Sequence, residues 1–215
     1  MKKAIFMIMC FLCTAVYAQE QVFTIDNDGN IGIKANYIES YLVKKYKNTS
    51  PYIQMLNENE KTLNGDSYAI ECLKYRNWEN DPGDMHLIRI RYQGKELFSL
   101  ENNEGWEYIT NEPNGDVKKT SFFYKINLDE ESVALVFVGV YIMSQPPRLT
   151  IIVLKNGKAS LVFDKPYYIN QVTKNKNGIM LTLQANTVEY RDVGVPCNSP
   201  ELHTLEFKNG MIYYK

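Results

Sequence analysis

Pairs of residues that favour tight turns punctuate this chain and limit the folds open to it. Of its 12 glycines, five follow an asparagine and one follows an aspartate. Asn-Gly and Asp-Gly tolerate the positive φ angles that two-residue β-hairpin turns require. Asn156-Gly157 and Asn209-Gly210, for example, lie between runs of β-branched and aromatic residues. The sequence therefore predicts a series of antiparallel hairpins.

The apolar pattern between these turns is typical of strands. Ile179, Leu181 and Leu183 alternate with polar residues, as a half-buried strand does. The run from Val133 to Met143 is apolar in both phases, which indicates a central strand covered on both faces. Roughly ten strands at short spacing predict a mainly β fold, arranged as an antiparallel sandwich or as a propeller-like array of hairpins.

A small helical element is expected near the N-terminus. An apolar stripe that starts at Tyr37 runs along residues 35–47 at helical spacing. Ser50-Pro51 then offers an N-cap and a first-turn proline for a short helix through about Glu60. These segments predict a β-rich α+β fold whose helical patch packs on a sheet face or plugs one end.

The first 18 residues indicate a cleaved secretory signal peptide. A cationic Met1-Lys2-Lys3 start precedes an apolar stretch, which ends in the small-x-small sequence Val16-Tyr17-Ala18. A membrane anchor is the alternative, but it needs about 20 apolar residues and this stretch is shorter. We expect cleavage after Ala18 and no integral membrane span in the mature chain.

The leader also indicates a destination. Lipoprotein signals place a small residue directly before the modified cysteine, whereas Met9 precedes Cys10 and Leu12 precedes Cys13. The chain is therefore not predicted to be a lipoprotein. The short Lys-Lys start and the Ala-Gln junction are typical of bacterial leaders, so we expect export to the periplasm or the exterior.

Residues 19–215 are predicted to form one β-rich domain, with a seam near 111–116 as the alternative. No linker or composition break divides this stretch. Without the leader, 22 basic residues face 25 acidic ones, a formal charge of −3. No basic field is present that would attract a phosphate backbone, so nucleic acid is not an expected partner.

Maturation would leave two cysteines, Cys72 and Cys197. In an oxidising compartment such a pair favours a disulfide. Two separate buried thiols, each packed as a small hydrophobe, are the alternative.

No catalytic constellation is recognisable, and no catalytic residue or cofactor is predicted. The chain has no Gly-x-Ser-x-Gly elbow and no His-Glu-x-x-His zinc motif. Its two histidines, His86 and His203, each share strand phase with apolar residues, which favours a structural role. Cys72 with His86 as nucleophile and base is disfavoured because export tends to oxidise the thiol.

Asp26 and Asp28 form a weak candidate for calcium binding, and no other metal site is predicted. The segment Asp26-Asn27-Asp28-Gly29-Asn30 has closely spaced oxygen ligands. It lacks the third carboxylate and the later glutamate of a calcium loop, and a plain hairpin turn explains each residue.

Aromatic residues supply the remaining functional hint. Trp106 and Tyr108 share one strand face, Trp78 precedes a turn, and Arg89 and Arg91 project together from a polar strand face. Exposed aromatic rings stack on sugars and anchor protein interfaces, and paired arginines can hold an anion. Packing in the sheet and a solvated sheet face are the structural alternatives.

These features predict an exported, non-enzymatic binding protein whose ligand is a glycan or an envelope protein. A carboxylate-dependent glycoside hydrolase is the first alternative, because some pair of the 25 acidic residues could meet across a cleft. A purely structural or inhibitor-like envelope module is the second.

Overall fold

The computed structural model describes residues 19–39, 53–61, 65–77, 83–102, 105–106, 109–111, 117–119, 122–139, 146–176, 178–187, 196 and 198–215. Cys197 lies outside these ranges. The predicted leader, Trp78, Tyr108 and most of the predicted seam also lie outside them, so the predictions about these four stay untested.

Strands dominate the described residues. They are β1 Glu20–Gln21, β2 Phe23–Ile25, β3 Ile31–Ile33, β4 Ile53–Lys61, β5 Ser67–Asn77, β6 Gly83–Tyr92, β7 Lys95–Asn102, β8 Ile109–Asn111, β9 Val117–Lys119, β10 Phe123–Asn127, β11 Ser132–Val138, β12 Arg148–Lys155, β13 Lys158–Pro166, β14 Tyr168–Asn175, β15 Gly178–Gln184, β16 Leu202–Lys208 and β17 Met211–Tyr214.

Three antiparallel meanders make up most of the fold. The first sheet has the order β4-β5-β6-β7, the middle sheet β10-β11-β12-β13, and the third sheet β14-β15-β16-β17 with β1 added beside β17. Two separate hairpins pair β2 with β3 and β8 with β9. The predicted mainly β, antiparallel class is therefore confirmed.

The predicted tight turns join several of these strands. Asn156 and Gly157 have φ angles of 52° and 67°, and Asn209 and Gly210 have 51° and 74°. Positive φ at both central residues is the geometry that matches the right-handed twist of the flanking strands. The Asn-Gly pairs thus set the hairpin register of β12 with β13 and of β16 with β17.

The middle sheet is buried on both faces. Along β11, Ala134, Val136 and Val138 pack into a core shared with the third sheet. The alternating residues, Val133, Leu135 and Phe137, pack into a second core shared with the first sheet. All seven residues of β11 are buried, which confirms the central strand predicted from the two-phase apolar run.

The helices predicted near the N-terminus are not shown: residues 40–47 of the first lie outside the described ranges, and the second is wrong. Ala35–Tyr37 form one 3-10 turn, and Ile38 then makes an isolated parallel bridge to Asp164. Residues 53–60, assigned to a helix from the Ser-Pro cap, belong to β4, which pairs with β5. Cross-strand pairing outweighs the local capping signal there. No helix among the described residues is long and apolar enough to span a bilayer.

Candidate functional site

An apolar cleft opens between the middle and third sheets, with a volume of about 370 Å³. One wall is Tyr124, Lys125 and Ile126 of β10, and the other is the segment 168–172 of β14. Val136 and Leu181 are among the aliphatic side chains that complete the lining. Pockets of about 300–1,000 Å³ with mostly apolar walls are the usual form of ligand sites.

Both walls are edge strands. Among the described residues, β10 pairs only with β11, and β14 pairs only with β15. Consecutive residues of each wall line the cleft. Since successive side chains of a strand point to opposite faces, a pocket lined by consecutive residues runs along the strand edge.

Strand register shows why the cleft is apolar. Val172 is opposite Leu181, which is opposite Leu205, so Val172 lies on the core face of the third sheet. Leu181 and Leu205 are buried, whereas Val172 is 61% exposed. Tyr124 lies on the core face of the middle sheet, opposite Val136, yet it is 46% exposed. The core faces of the middle and third sheets therefore diverge at this edge, and the inward-facing Tyr124 and Val172 are exposed to solvent.

A β-bulge shapes the β14 wall. The register shifts between Ile169 and Gln171, so that Asn170 has no opposite residue on β15. The bulge places both Ile169 and Val172 on the core face. Asn170 and Gln171 are exposed at the mouth, where their amides add polar groups to an aliphatic wall.

Positive charge borders the cleft. Lys125 is the charged residue in the described lining, and its Nζ lies 2.8 Å from a carboxylate oxygen of Glu60. Lys174 is exposed and opposite Ile179, on the same core face as Val172. No described acidic side chain forms an ion pair with Lys174. The described lining contains no Asp or Glu, so a pair of catalytic carboxylates has no support at this cleft.

Trp106 is a core residue rather than a surface aromatic. It is fully buried in the core between the first and middle sheets, edge-on to Phe137. Its Nε1 donates to Thr150 Oγ1 at 2.8 Å, and Thr150 Oγ1 donates to Asp164 Oδ1 at 2.8 Å. Stacking of Trp106 on a ligand therefore has no support, because the ring would first have to leave the core.

This chain of hydrogen bonds ends in a buried ion pair. Arg148 and Asp164 are 4% and 1% exposed. Arg148 Nε donates to Asp164 Oδ1 at 2.6 Å, and its Nη2 donates to Asp164 Oδ2 and to the carbonyl of Glu39. The network joins β12, β13 and the segment after the 3-10 turn. Both oxygens of the Asp164 carboxylate accept hydrogen bonds from protein donors, which favours a structural role.

Arg89 and Arg91 share the outer face of the first sheet, as the sequence predicts. Glu71 lies between them: its Oε2 is 2.7 Å from Arg89 Nε and 3.2 Å from Arg91 Nη1. The carboxylate partly neutralises the pair, so it competes with any anionic ligand there. Binding by these arginines stays a prediction.

The predicted disulfide is not supported. Cys72, the one cysteine in the described ranges, is a thiol buried in the core of the first and middle sheets. It is opposite Leu56 and Ile88 and packs as a small hydrophobe.

Asp26 and Asp28 belong to the turn of the β2–β3 hairpin. Asp26 Oδ1 accepts hydrogen bonds from the backbone N–H of Asp28 at 3.0 Å and of Asn30 at 2.8 Å. The side-chain amide of Asn30 also donates to Asp26 and holds the pKa of this carboxyl below its usual range. Both carboxylate oxygens of Asp26 are thus used within the turn, and no group of three metal-ligating side chains occurs among the described residues.

The two histidines lie on different sheets. His86 is buried on β6, against Gly105, whereas His203 stacks on Tyr214 with ring centroids 5.2 Å apart. Tyr214 shares a 2.6 Å hydrogen bond with Tyr167, and burial raises the pKa of Tyr167 far above its usual range. The structure does not bring His86 and His203 together in one site.

Sequence analysis missed the cleft because its residues carry no catalytic motif. One residue could have indicated the cleft from the sequence: Lys174 is a charged residue two positions after the apolar Val172, in the same strand phase. Comparison with known proteins adds no assignment: no family model, no curated protein and no solved structure matches this chain.

Proposed function

We propose that this protein is a non-enzymatic binding protein whose site is the cleft between β10 and β14. The observation that carries the proposal is the exposure of Val172 and Tyr124, which lie on core faces by register yet are open to solvent. Leaving such groups exposed is unfavourable by about 25 cal/mol per Å² of apolar surface. A ligand that covers them recovers this free energy.

Of the two expected ligand classes, a protein partner fits the cleft better than a glycan. Ile126, Val136, Ile169 and Leu181 make the interior of the cleft aliphatic, and the amides of Asn170 and Gln171 lie only at its mouth, so the interior offers sugar hydroxyls few hydrogen bonds. The predicted aromatic platform also loses Trp106 to the core. An apolar protein segment is therefore the ligand class we propose.

The same proposal covers export and architecture. Because residues 1–18 have the pattern of a signal peptide, we propose that the mature protein acts in the periplasm or outside the cell, which would make the partner an envelope protein. Three stacked meanders with a shared middle sheet favour a propeller-like hairpin array over a two-sheet sandwich.

Matched charge substitutions test the cleft. Val172→Asp places a carboxylate on the exposed core face, and Leu202→Asp places one on the outer face of the same sheet, at a side chain that is 52% exposed. We expect the uncharged apolar dye Nile red to bind the purified wild-type and Leu202→Asp proteins. Val172→Asp should bind it about tenfold more weakly, since a carboxylate is costly to desolvate.

The partner is tested with the same variants. Wild-type and Leu202→Asp proteins should co-purify with one envelope protein that Val172→Asp fails to retain. Equal dye binding and equal co-purification by all three proteins would show that the cleft is not the binding site.

A further inference from the structure

The mouth of the cleft combines three features that together specify how a polypeptide would enter it. Its walls are strand edges, its exposed apolar side chains Val172 and Tyr124 belong to core faces, and the exposed Lys174 follows Val172 on the same face. From these features, and resting on the proposed function above, we infer that the ligand is an extended partner segment that adds as a strand beside β14. The segment would carry apolar residues in one phase and an acidic residue in that same phase opposite Lys174.

The backbone of β14 supports strand addition. β14 pairs with β15 on one side, and on the other side no described strand pairs with it. Every second residue of such an edge directs its N–H and C=O away from the sheet, where an added strand can bond to them. Beyond the bulge, the regularly paired stretch Gln171–Asn175 spans about 13 Å at strand rise, enough for a partner segment of about five residues.

The side chains of β14 set the chemistry of the added strand. Residues opposite each other across an antiparallel pair share a face. A residue opposite Val172 would therefore project into the cleft toward Tyr124, and it should be apolar. Two positions along the strand, a residue opposite Lys174 would meet an exposed ammonium without a described acidic partner, and it should be acidic.

The charge of β14 also disfavours a second copy of the chain as the ligand. The edge strand β14 carries Lys174, Lys176 follows directly after its end, and no acidic residue lies between Tyr168 and Asn175. Inward-pointing lysines and bulges on edge strands hinder pairing between identical edges. The charge of Lys174 therefore favours an acidic partner strand over self-association through β14.

A designed peptide tests the inference. The probe is acetyl-Glu-Thr-Val-Thr-Val-Thr-amide with a fluorescent label, in which glutamate and both valines share one phase. Antiparallel to β14, it places the glutamate opposite Lys174 and the first valine opposite Val172. Fluorescence anisotropy should show saturable binding to wild-type and Leu202→Asp proteins and about tenfold weaker binding to Val172→Asp.

Two peptide variants separate the parts of the inference. Replacing the glutamate with lysine should weaken binding about fivefold at low salt, as expected for exchanging an exposed ion pair for a like-charge contact. The difference should vanish near 1 M salt, where the Debye length is about 3 Å. Lys174→Glu should reverse the preference between the two peptides.

Backbone methylation tests strand pairing directly. One peptide is N-methylated at its first, third and fifth residues and another at its second, fourth and sixth. Strand addition predicts that one of the two loses binding and the other retains it, because only alternate N–H groups face β14. Retention of binding by both would overturn strand addition.

The remaining outcomes distinguish the two proposals. If the dye discriminates Val172→Asp from Leu202→Asp but no peptide binds, the cleft binds ligands and the strand-addition inference is wrong. If neither dye nor peptide discriminates the variants, both proposals are wrong. Concentration-dependent dimerisation that Val172→Asp abolishes would identify a second copy as the ligand and would also overturn the inference.

Discussion

Asp164→Asn is the substitution for which the structure gives the firmest expected magnitude. The carboxylate is 1% exposed, and three donors surround it: Arg148 Nε at 2.6 Å, Arg148 Nη2, and Thr150 Oγ1 at 2.8 Å. Asparagine keeps the shape and one acceptor oxygen. Its amide N–H₂, however, would face Arg148 Nη2 with donor against donor, and the buried guanidinium would lose its counter-charge.

The expected loss follows from these contacts. A hydrogen bond to a charged group contributes about 1.5–3 kcal/mol, and one is abolished while another is weakened. Removing one partner of a buried ion pair costs about 3–5 kcal/mol in total. For a chain of this length, about 2–4 °C of melting temperature corresponds to 1 kcal/mol, so Tm should fall by roughly 6–20 °C.

Urea unfolding followed by tryptophan fluorescence and circular dichroism measures this loss. Glu131→Gln is the control, because Glu131 is exposed at its 3.4 Å contact with Lys155 and should cost less than about 1 kcal/mol. The double variant Arg148→Met with Asp164→Leu removes both charges, so its cost should be far below the sum of the two single losses. An Asp164→Asn loss no larger than that of Glu131→Gln would refute the buried pair.

Three further predictions concern other parts of the fold. Gly178→Ala should cost more than about 1 kcal/mol in urea unfolding, and more than Gly65→Ala, because φ is 146° and an added Cβ would lie 2.0 Å from the carbonyl oxygen of Phe207, whereas nothing lies near Gly65. Burial of Asp129 opposes ionisation, but hydrogen bonds and Lys155 hold its pKa below 3.8; Asp129→Asn should therefore be less stable than wild type above pH 3.8 and match it as pH falls further, by less than about 1 kcal/mol throughout. Burial raises the pKa of Tyr167 above 10, so Tyr167→Phe should leave the ultraviolet titration near pH 10 unchanged, and a lost absorbance step there would contradict its burial.

The hairpins could be predicted because the relevant information is local. At Asn156-Gly157 and Asn209-Gly210, two residues that accept positive φ are sufficient to reverse the chain. The central strand β11 was likewise predictable from seven consecutive residues that are apolar or small. Local sequence determines such features before any tertiary contact forms.

The helix predicted from Ser50-Pro51 through about Glu60 is wrong, because two local sequence signals disagree there. Ser50-Pro51 indicates a helix start, whereas Asn64-Gly65 predicts a hairpin that needs a strand before it. β4 pairs with β5 over eight positions across that turn, and these ladder bonds outweigh one helix cap. A hairpin signal should therefore have taken precedence over the capping signal upstream of it.

The cleft depends on information that the sequence does not display. Plain alternation would place Ile169, Gln171 and Thr173 on one face of β14, but the bulge at Asn170 moves Val172 to the core face. Whether β10 and β14 are edge strands depends on the order of strands in two different sheets. Neither the bulge nor the sheet order can be read from the 215 residues alone.

The sharing of β11 and β12 between two cores has a consequence for local opening. Residues of each strand pack alternately toward the first and the third sheet. If either outer sheet separates, one apolar face of both β11 and β12 becomes exposed to solvent. Backbone amides in β11 and β12 should therefore be the last to exchange with deuterium, and only through global unfolding. The amides at the cleft edge of β14 should exchange through small fluctuations, which leaves that edge available for pairing while the centre stays closed.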